Sequence, residues 1–151
     1  MSILTWLRKV TNGGATAELL EQPIQFAEEE ARFHNLNMKE ALEAHAAWNT
    51  RLEDVLSGKS AEHLEPAKVA SDCECTLGKW IHGPAKSAMG DSVDYEDLKK
   101  IHAEFHLNAA EIVKDFLHGQ ITTADLNMRK LRMQSGMIQL ALVRLFSKQK
   151  Q

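Results

Sequence analysis

The apolar residues in the first third of the chain recur at alternating spacings of three and four positions. This heptad pattern is typical of a helix that packs against other helices. It predicts one long helix over about residues 23–57, or two helices broken near His34-Asn35. Pro23 suits a first helical position, and Gly58 suits the residue just after a helix end. The residues in register are Ile24, Ala27, Ala31, His34, Met38, Ala41, His45, Trp48, Leu52 and Val55.

Two further helices are predicted in the second half of the chain. The first covers about residues 95–118 and ends at Gly119. The second begins at a capping pair formed by Thr122 and Asp125 and runs to about Lys148. The inward positions of the two helices are Leu98, Ile101, Phe105, Ala109, Ile112, Phe116, Met128, Leu131, Ile138, Leu142 and Leu145.

The connection over residues 59–93 is irregular and rich in glycine. It predicts a short helix at residues 77–82, capped by Thr76 and stopped by Gly83, and another at about residues 61–69. No stretch of the chain alternates between apolar and polar residues as a strand would. The predicted fold is therefore all-α, a four-helix bundle with a short helix in a long connection.

The chain is expected to begin with an extra helical segment. Residues 3–10 form an amphipathic pattern, and the glycines at positions 13 and 14 form a flexible break after it. We therefore divide the chain into an N-terminal amphipathic segment with its flexible break, residues 1–22, and a helical-bundle domain, residues 23–151.

Composition narrows the classes of function. The 151 residues are 44% hydrophobic and 26% charged, which is ordinary for a globular protein, and the formal net charge is −3. The charge gives no basic surface for nucleic acid. No apolar run reaches the roughly 18–20 residues that a transmembrane helix needs. The two cysteines are one residue apart and poorly placed for a stabilising disulfide, so a reducing cytoplasm is the expected compartment.

Three histidines are candidates for metal binding. His102 and His106 are four residues apart in a predicted helix, so they share one face and can bind one ion together. His45 lies on the inward seam of the first helix, where an unpaired imidazole is costly. Taken singly, these features have ordinary explanations. His45 alone would be a hydrogen-bonded core histidine, and His102 and His106 alone would be a solvated surface pair. Their occurrence together favours a shared metal site.

Cys75 adds a soft anionic ligand just before the predicted short helix. One thiolate and three imidazoles form a closed tetrahedral set that suits zinc. Cys73 is a spare loop thiol, an alternative ligand or a resolving thiol, and we favour the spare thiol. His34 lies too far along its helix to share an ion with His45. His82 is assigned a surface role, with support of the site as the alternative.

The candidate site is interpreted as non-catalytic. Zinc proteases place a general-base glutamate directly after the first histidine of a His-Glu-x-x-His motif, whereas Glu104 comes one position later. Four protein ligands also leave no open position for water or substrate. A di-iron carrier of the hemerythrin type is a further alternative, but it needs five histidines and inward carboxylates that the sequence does not supply.

Three short motifs together resemble the chemoreceptor zinc-binding (CZB) family. That family combines His-x-x-Trp on a first helix, Cys-x-Leu/Phe-Gly-x-Trp after it, and His-x-x-x-His on a later helix. The resemblance covers about residues 38–146. The matching segments are His45-Ala46-Ala47-Trp48, Cys75-Thr76-Leu77-Gly78-Lys79-Trp80 and His102-Ala103-Glu104-Phe105-His106.

The resemblance implies one zinc site, often in a homodimer. The implied ligands are His45, Cys75, His102 and His106, with Trp48, Gly78 and Trp80 in support. Members of the family regulate chemoreceptors and diguanylate cyclases in the bacterial cytoplasm, in response to zinc availability or to oxidation of the ligand cysteine by hypochlorous acid. No methyl-accepting coiled coil or cyclase domain accompanies the motifs in this sequence, so we expect the output to act through a partner.

The leading hypothesis is a zinc-binding sensory domain that is not an enzyme. Cys75 and Cys73 are its candidate redox thiols. The alternative is a structural, zinc-stabilised interaction module, or a zinc buffer without a switching role.

Overall fold

The computed structural model of this protein describes residues 32–149. Several predictions lie outside this range: the amphipathic helix at residues 3–10, the flexible break, the boundary between residues 22 and 23, and the first three positions of the heptad register.

The described part of the chain begins with a small hairpin. Strands β1 (Arg32–Phe33) and β2 (Leu36–Asn37) pair antiparallel. The two residues between them, His34 and Asn35, have φ of 44° and 68°. Two consecutive residues with positive φ fit a tight hairpin turn and cannot continue a right-handed helix. The prediction of one unbroken helix is therefore wrong. Of the alternative, the break near His34-Asn35 is confirmed, and the helix predicted before it lies almost entirely outside the described residues.

Helix α1 (Met38–Leu56) follows the hairpin directly. The Asn37 side chain accepts a hydrogen bond from the Glu40 amide at 3.1 Å, which caps the helix. Gly58 follows the helix end with φ of 78°, as predicted. Five heptad positions are buried in this helix: Met38, Ala41, His45, Leu52 and Val55. Trp48 is only half-buried, and the inward position predicted for His34 is wrong, because His34 lies exposed in the hairpin turn.

Four short elements fill the connection. They are α2 (Pro66–Ala70), α3 (Thr76–Trp80), a π-helical turn (Ile81–Ala85) and α4 (Lys86–Met89). The predicted helix at residues 61–69 begins only at Pro66, whose ring suits a first helical turn.

The predicted stop at Gly83 is wrong. The backbone continues past it through the π-helical turn, and that turn also accommodates Pro84. The Tyr95 hydroxyl donates to the Ile81 carbonyl at 2.9 Å and so satisfies an acceptor at the start of this wider turn.

Two long helices complete the described chain, α5 (Val93–Leu117) and α6 (Ile121–Gln149). Gly119 has φ of 75° and separates them, as predicted. The capping pair Thr122 and Asp125 is wrong, because the helix already begins at Ile121. The Gln120 carbonyl accepts the Ala124 amide at 3.1 Å, so both predicted cap residues lie inside the first turns.

Packing centres on α5. It packs most extensively against α6, while α2 lies across it and α1 contacts both α6 and α3. The Asn108 amide donates to Gln134 Oε1 at 3.1 Å inside the α5–α6 contact, where both residues are buried. The all-α class is confirmed, since the described chain is mostly helical and its strands are two residues each. No helix in the described range is long and apolar enough to cross a membrane.

Trp80 ties the hairpin to α3. Its indole N–H donates to the His34 carbonyl at 2.9 Å, and its ring packs against Phe33 with centroids 5.6 Å apart. The Trp80→Phe variant should lower the free energy of unfolding by about 1–2 kcal/mol, because a half-buried carbonyl loses its donor. Urea denaturation followed by circular dichroism measures this loss.

Trp48→Phe is the matched control for this prediction. The Trp48 ring stands edge-on to His106 and lies under the Arg51 guanidinium, 4.4 Å from the ring centroid, so the change weakens ring contacts that include a cation–π contact. That contact is worth about 0.5 kcal/mol near the surface. Equal losses in the two variants would show that the indole hydrogen bond contributes nothing.

Candidate metal centre

Four side chains from three separate elements meet inside the fold. His45 comes from α1, Cys75 precedes α3, and His102 and His106 come from α5. One ligand atom from each residue lies within 4.8 Å of all the others. The three histidines are buried and Cys75 is half-buried. The four residues that the sequence suggested as ligands therefore form one cluster, which is consistent with a His3Cys zinc site.

Helix geometry brings the two histidines of α5 together. Their ring centroids are 4.7 Å apart, one helical turn from each other. The His45 ring lies 5.0 Å from that of His102 and 5.5 Å from that of His106, so α1 closes the cluster from the opposite side. Phe105 packs 4.2 Å from the His45 ring and helps to exclude water, a contact that the sequence did not indicate.

Cys75 is both a candidate ligand and a helix cap. Its Sγ accepts a hydrogen bond from the Gly78 amide at 3.2 Å, which makes Cys75 the N-cap of α3 in place of the predicted Thr76. The same sulfur lies 3.3 Å from His102 Nε2 and 3.7 Å from His106 Nε2. Because the helix begins at Thr76, the preceding side chain takes the capping position.

Glycine is required at position 78. A Cβ placed there would overlap the Asp72 carbonyl oxygen and would lie 3.2 Å from His102 Cε1. The start of α3 therefore approaches both the preceding loop and the α5 histidines more closely than any side chain permits. Gly78 supports the site through this close approach and through its amide.

A backbone carbonyl orients one of the imidazoles. His106 Nδ1 lies 2.9 Å from the Val69 carbonyl in α2. A carbonyl only accepts, so Nδ1 carries the proton and Nε2 presents its lone pair to the cluster. An outer hydrogen bond of this kind accompanies most metal-binding histidines. Its partner is a main-chain atom, which no side-chain motif could have revealed.

Other buried imidazole nitrogens have no hydrogen-bond partner within the described structure. Both ring nitrogens of His45 and the Nδ1 atom of His102 are in this state. A buried polar atom without a partner costs about 1–3 kcal/mol, so a fold rarely tolerates several together. A cation among the four ligand atoms gives His45 the partner that the protein does not supply. The residues present thus fit a bound metal ion.

Burial also sets the protonation of the ligands. Burial, and then the neighbouring imidazoles, lower the pKa of His45 well below its usual value. The same causes lower the pKa of His102 to about 3. Burial lowers the pKa of His106 too, although its hydrogen bond to Val69 opposes this. All three rings are neutral at neutral pH, which is the form that binds metal.

The thiol depends on a cation for its charge. Burial raises the pKa of Cys75, and the amides of Gly78 and Leu77 oppose that rise without cancelling it. Cys75 alone is therefore a thiol at neutral pH, and a bound cation would hold it as thiolate. Without a bound ion, the three imidazoles and the Cys75 thiol are therefore all uncharged at neutral pH.

The remaining predicted residues lie around the cluster. The Trp48 ring stands edge-on to His106 with centroids 6.3 Å apart. Trp80 supports α3 through the hairpin. Cys73 is exposed, and its sulfur lies 3.4 Å from Asp72 Oδ1. His82, assigned a surface role, is exposed and lies 3.1 Å from Asp72 Oδ2. The structure places Cys73 with these two residues, outside the four-ligand cluster.

A cavity of about 530 Å³ opens onto the cluster from the surface. His45, Cys75 and His106 form part of its wall, and Arg51 and Lys68 are among its other lining residues. The cavity gives small molecules a path to the half-buried sulfur.

Comparison with known protein families identifies the cluster. Residues 45–113 match the family model described as the chemoreceptor zinc-binding domain, and this range includes all four candidate ligands. Comparisons with curated proteins and with solved structures give no match. The matched family is a zinc-binding sensory domain and not a catalytic one. The chain therefore carries a chemoreceptor zinc-binding domain at residues 45–113, with a histidine–cysteine cluster that implies Zn²⁺ as its cofactor.

Proposed function

We propose that this chain is a zinc-responsive regulatory domain that signals through a partner protein. His45, Cys75, His102 and His106 would bind one Zn²⁺ ion. The observation that carries the proposal is the convergence of three buried, neutral imidazoles on one thiol, with both nitrogens of His45 unpaired. Such a set suits a borderline-soft ion and leaves no coordination position for substrate.

The response would depend on α3. When bound, the ion supplies charge that keeps Cys75 as a thiolate and joins α3 to the long helices. α3 continues through the π-helical turn into α4, and a helical segment of this length that contains Gly83 and Pro84 is marginal alone, so its position rests on its contacts. Loss of the Cys75 ligand would release this segment and change the surface near the cavity.

Oxidation is the second route to the same change. Hypochlorous acid converts a thiolate to a sulfenic acid and releases chloride, so the sulfur loses the charge with which it binds an ion. The cavity beside Cys75 supports access of such a small oxidant. Cys73, two residues away and exposed, is proposed as a further redox thiol.

Assembly is also part of the proposal. We infer a four-helix bundle in the domain at residues 23–151, with residues 1–22 as a separate segment, working as a homodimer in the cytoplasm. A chemoreceptor or diguanylate cyclase system is the proposed partner, supported by the family match. Leu126, Met133 and Met137 expose large apolar side chains along α6, which supports contact with a second copy.

Ligand variants test the zinc site. Cys75→Ser and His45→Ala should each weaken zinc binding at least about 100-fold, since a closed tetrahedral site loses one of four ligands. Competition with a colorimetric zinc chelator measures the affinity of this site, as the zinc equivalent that the protein binds most tightly.

His118→Ala is the matched control, because His118 is exposed at the end of α5 and lies outside the cluster. It should bind zinc as the unmodified protein does. Unchanged affinity in the Cys75 and His45 variants would refute the site and the function proposed from it.

Chelation separates a switch from a purely structural site. We expect the protein to keep most of its helicity after zinc removal, because α5 packs most extensively against α6, which carries none of the four candidate ligands. Far-ultraviolet circular dichroism before and after chelation gives the comparison, and limited proteolysis should then show new cleavage near residues 71–82. Cooperative loss of the whole helical signal would instead favour the structural module.

Acid should destabilise the chelator-treated protein through its histidines. Their folded-state pKa values lie below the ordinary 6.5, and that of His102 is about 3, so the unfolded chain binds more protons between these limits. Stability is therefore complete above about pH 6.5 and falls as the pH drops toward the folded-state values. A pKa that is lower by one in the folded chain than in the unfolded chain corresponds to about 1.4 kcal/mol, so protonation of His102, with a folded-state pKa of about 3, costs the folded protein several kcal/mol of stability.

Urea denaturation at a series of pH values between about 7 and about 4 measures this loss. Bound zinc should move the decline to lower pH, because protons must first displace the ion. His102→Gln should flatten the profile, because it removes the buried imidazole with the lowered pKa. A profile without slope in the chelator-treated protein would contradict the assignment of buried neutral imidazoles.

A further inference from the structure

A second group of metal-binding side chains lies outside the buried cluster. Asp72, Cys73 and His82 each offer one ligand atom, and these atoms all lie within 4.8 Å of one another. Cys73 and His82 are exposed and Asp72 is half-buried. None of the three belongs to the four-ligand cluster, and the matched motifs do not include them.

The geometry points to a second, solvent-open site for a borderline divalent cation such as Zn²⁺, formed by Asp72, Cys73 and His82. The carboxylate lies between the other two groups, with Oδ2 at 3.1 Å from His82 Nε2 and Oδ1 at 3.4 Å from Cys73 Sγ. Ligand atoms about 2.0–2.3 Å from one ion at tetrahedral angles are about 3.3–3.8 Å apart. The two carboxylate distances, each to a different oxygen of Asp72, are close to this spacing, and all three ligand atoms lie within 4.8 Å of one another.

The donor types favour the same class of ion. A thiolate, an imidazole and a carboxylate are all ligands of Zn²⁺, and the sulfur disfavours Mg²⁺ and Ca²⁺. Without an ion, the Asp72 carboxylate accepts a hydrogen bond from the Cys73 thiol and lies beside His82, so the three groups already converge on one point. On binding, the ion replaces the thiol proton of Cys73, which passes to solvent.

The two sites would differ in strength. The outer site has three protein ligands and keeps at least one position for water, whereas the buried set has four. The ligands of the outer site also lose more conformational entropy on binding than those of the buried site, since two of them are exposed side chains. We therefore expect the outer site to bind Zn²⁺ more weakly than the buried one, by at least about tenfold.

Backbone packing holds the outer group in place. The Asp72 carbonyl oxygen lies against Gly78, so the loop that carries Asp72 and Cys73 packs on the start of α3. His82 follows α3 in the π-helical turn. Residues 72–82 thus carry the outer ligands and also Cys75, the thiol of the buried cluster.

Zinc titration of the full chain under reducing conditions tests the inference. The unmodified protein should bind two equivalents, one tight and one weaker, and Co²⁺ should give two successive sets of absorption bands with thiolate character. Cys73→Ser and His82→Ala should each weaken the second equivalent at least about tenfold and leave the first unchanged. Both positions are exposed, so neither change threatens folding.

Two variants keep the sites distinguishable. Cys75→Ser should lose the tight equivalent and retain the weaker one, while His118→Ala should retain both. Binding of one equivalent by the unmodified protein would overturn the inference, as would a second equivalent that survives both Cys73→Ser and His82→Ala. Loss of the tight equivalent in Cys73→Ser would also overturn it, because Cys73 would then be a ligand of the buried site.

Discussion

The exclusion of water from three imidazoles is the constraint on which the rest of this structure depends. Burial keeps His45, His102 and His106 neutral and leaves ring nitrogens without partners, so the fold carries an electrostatic cost in this one place. The long helices must approach closely enough to bury the rings, and α2 must lie where Val69 can accept from His106. A cation among the ligand atoms offsets that cost, and binding is therefore coupled to the packing of the whole helical connection.

The coupling between ion binding and packing differs between the long helices and α3. α5 and α6 are long and share an apolar contact that includes the buried Asn108–Gln134 pair, so they have many contacts away from the cluster. α3 has five residues, and its N-cap atom is the candidate ligand sulfur. Chemistry at that sulfur changes the ligand set and the helix start at the same moment.

Local rules predicted a good part of this structure from the sequence. The heptad positions of α1 other than Trp48 are buried as expected, and Gly58 and Gly119 end helices because each adopts a positive φ that suits glycine. Periodicity also placed His45 inward, and the spacing of His102 and His106 placed both on one face. The failures have a different origin. The helical turns pass Gly83 because a tertiary hydrogen bond from Tyr95 satisfies the wider turn, and the partner of His106 is a main-chain carbonyl. Contacts of this kind depend on the assembled fold and have no signature in residue spacing.

The hydrogen bond between Trp80 and the His34 carbonyl joins the α3 segment of the site to the hairpin at the start of the described chain. Trp80 is the last residue of the helix that Cys75 caps, and His34 is in the turn of the hairpin, two residues after the point where the first 31 residues join the described structure. The hairpin also packs on the helices through Phe33, whose ring contacts Trp80 and Phe146. A displacement of α3 must therefore either break this hydrogen bond or move the hairpin with it. If the hairpin moves with α3, a change at the Cys75 sulfur displaces the start of the described chain. The five residues of α3 separate that sulfur from the hydrogen bond to His34.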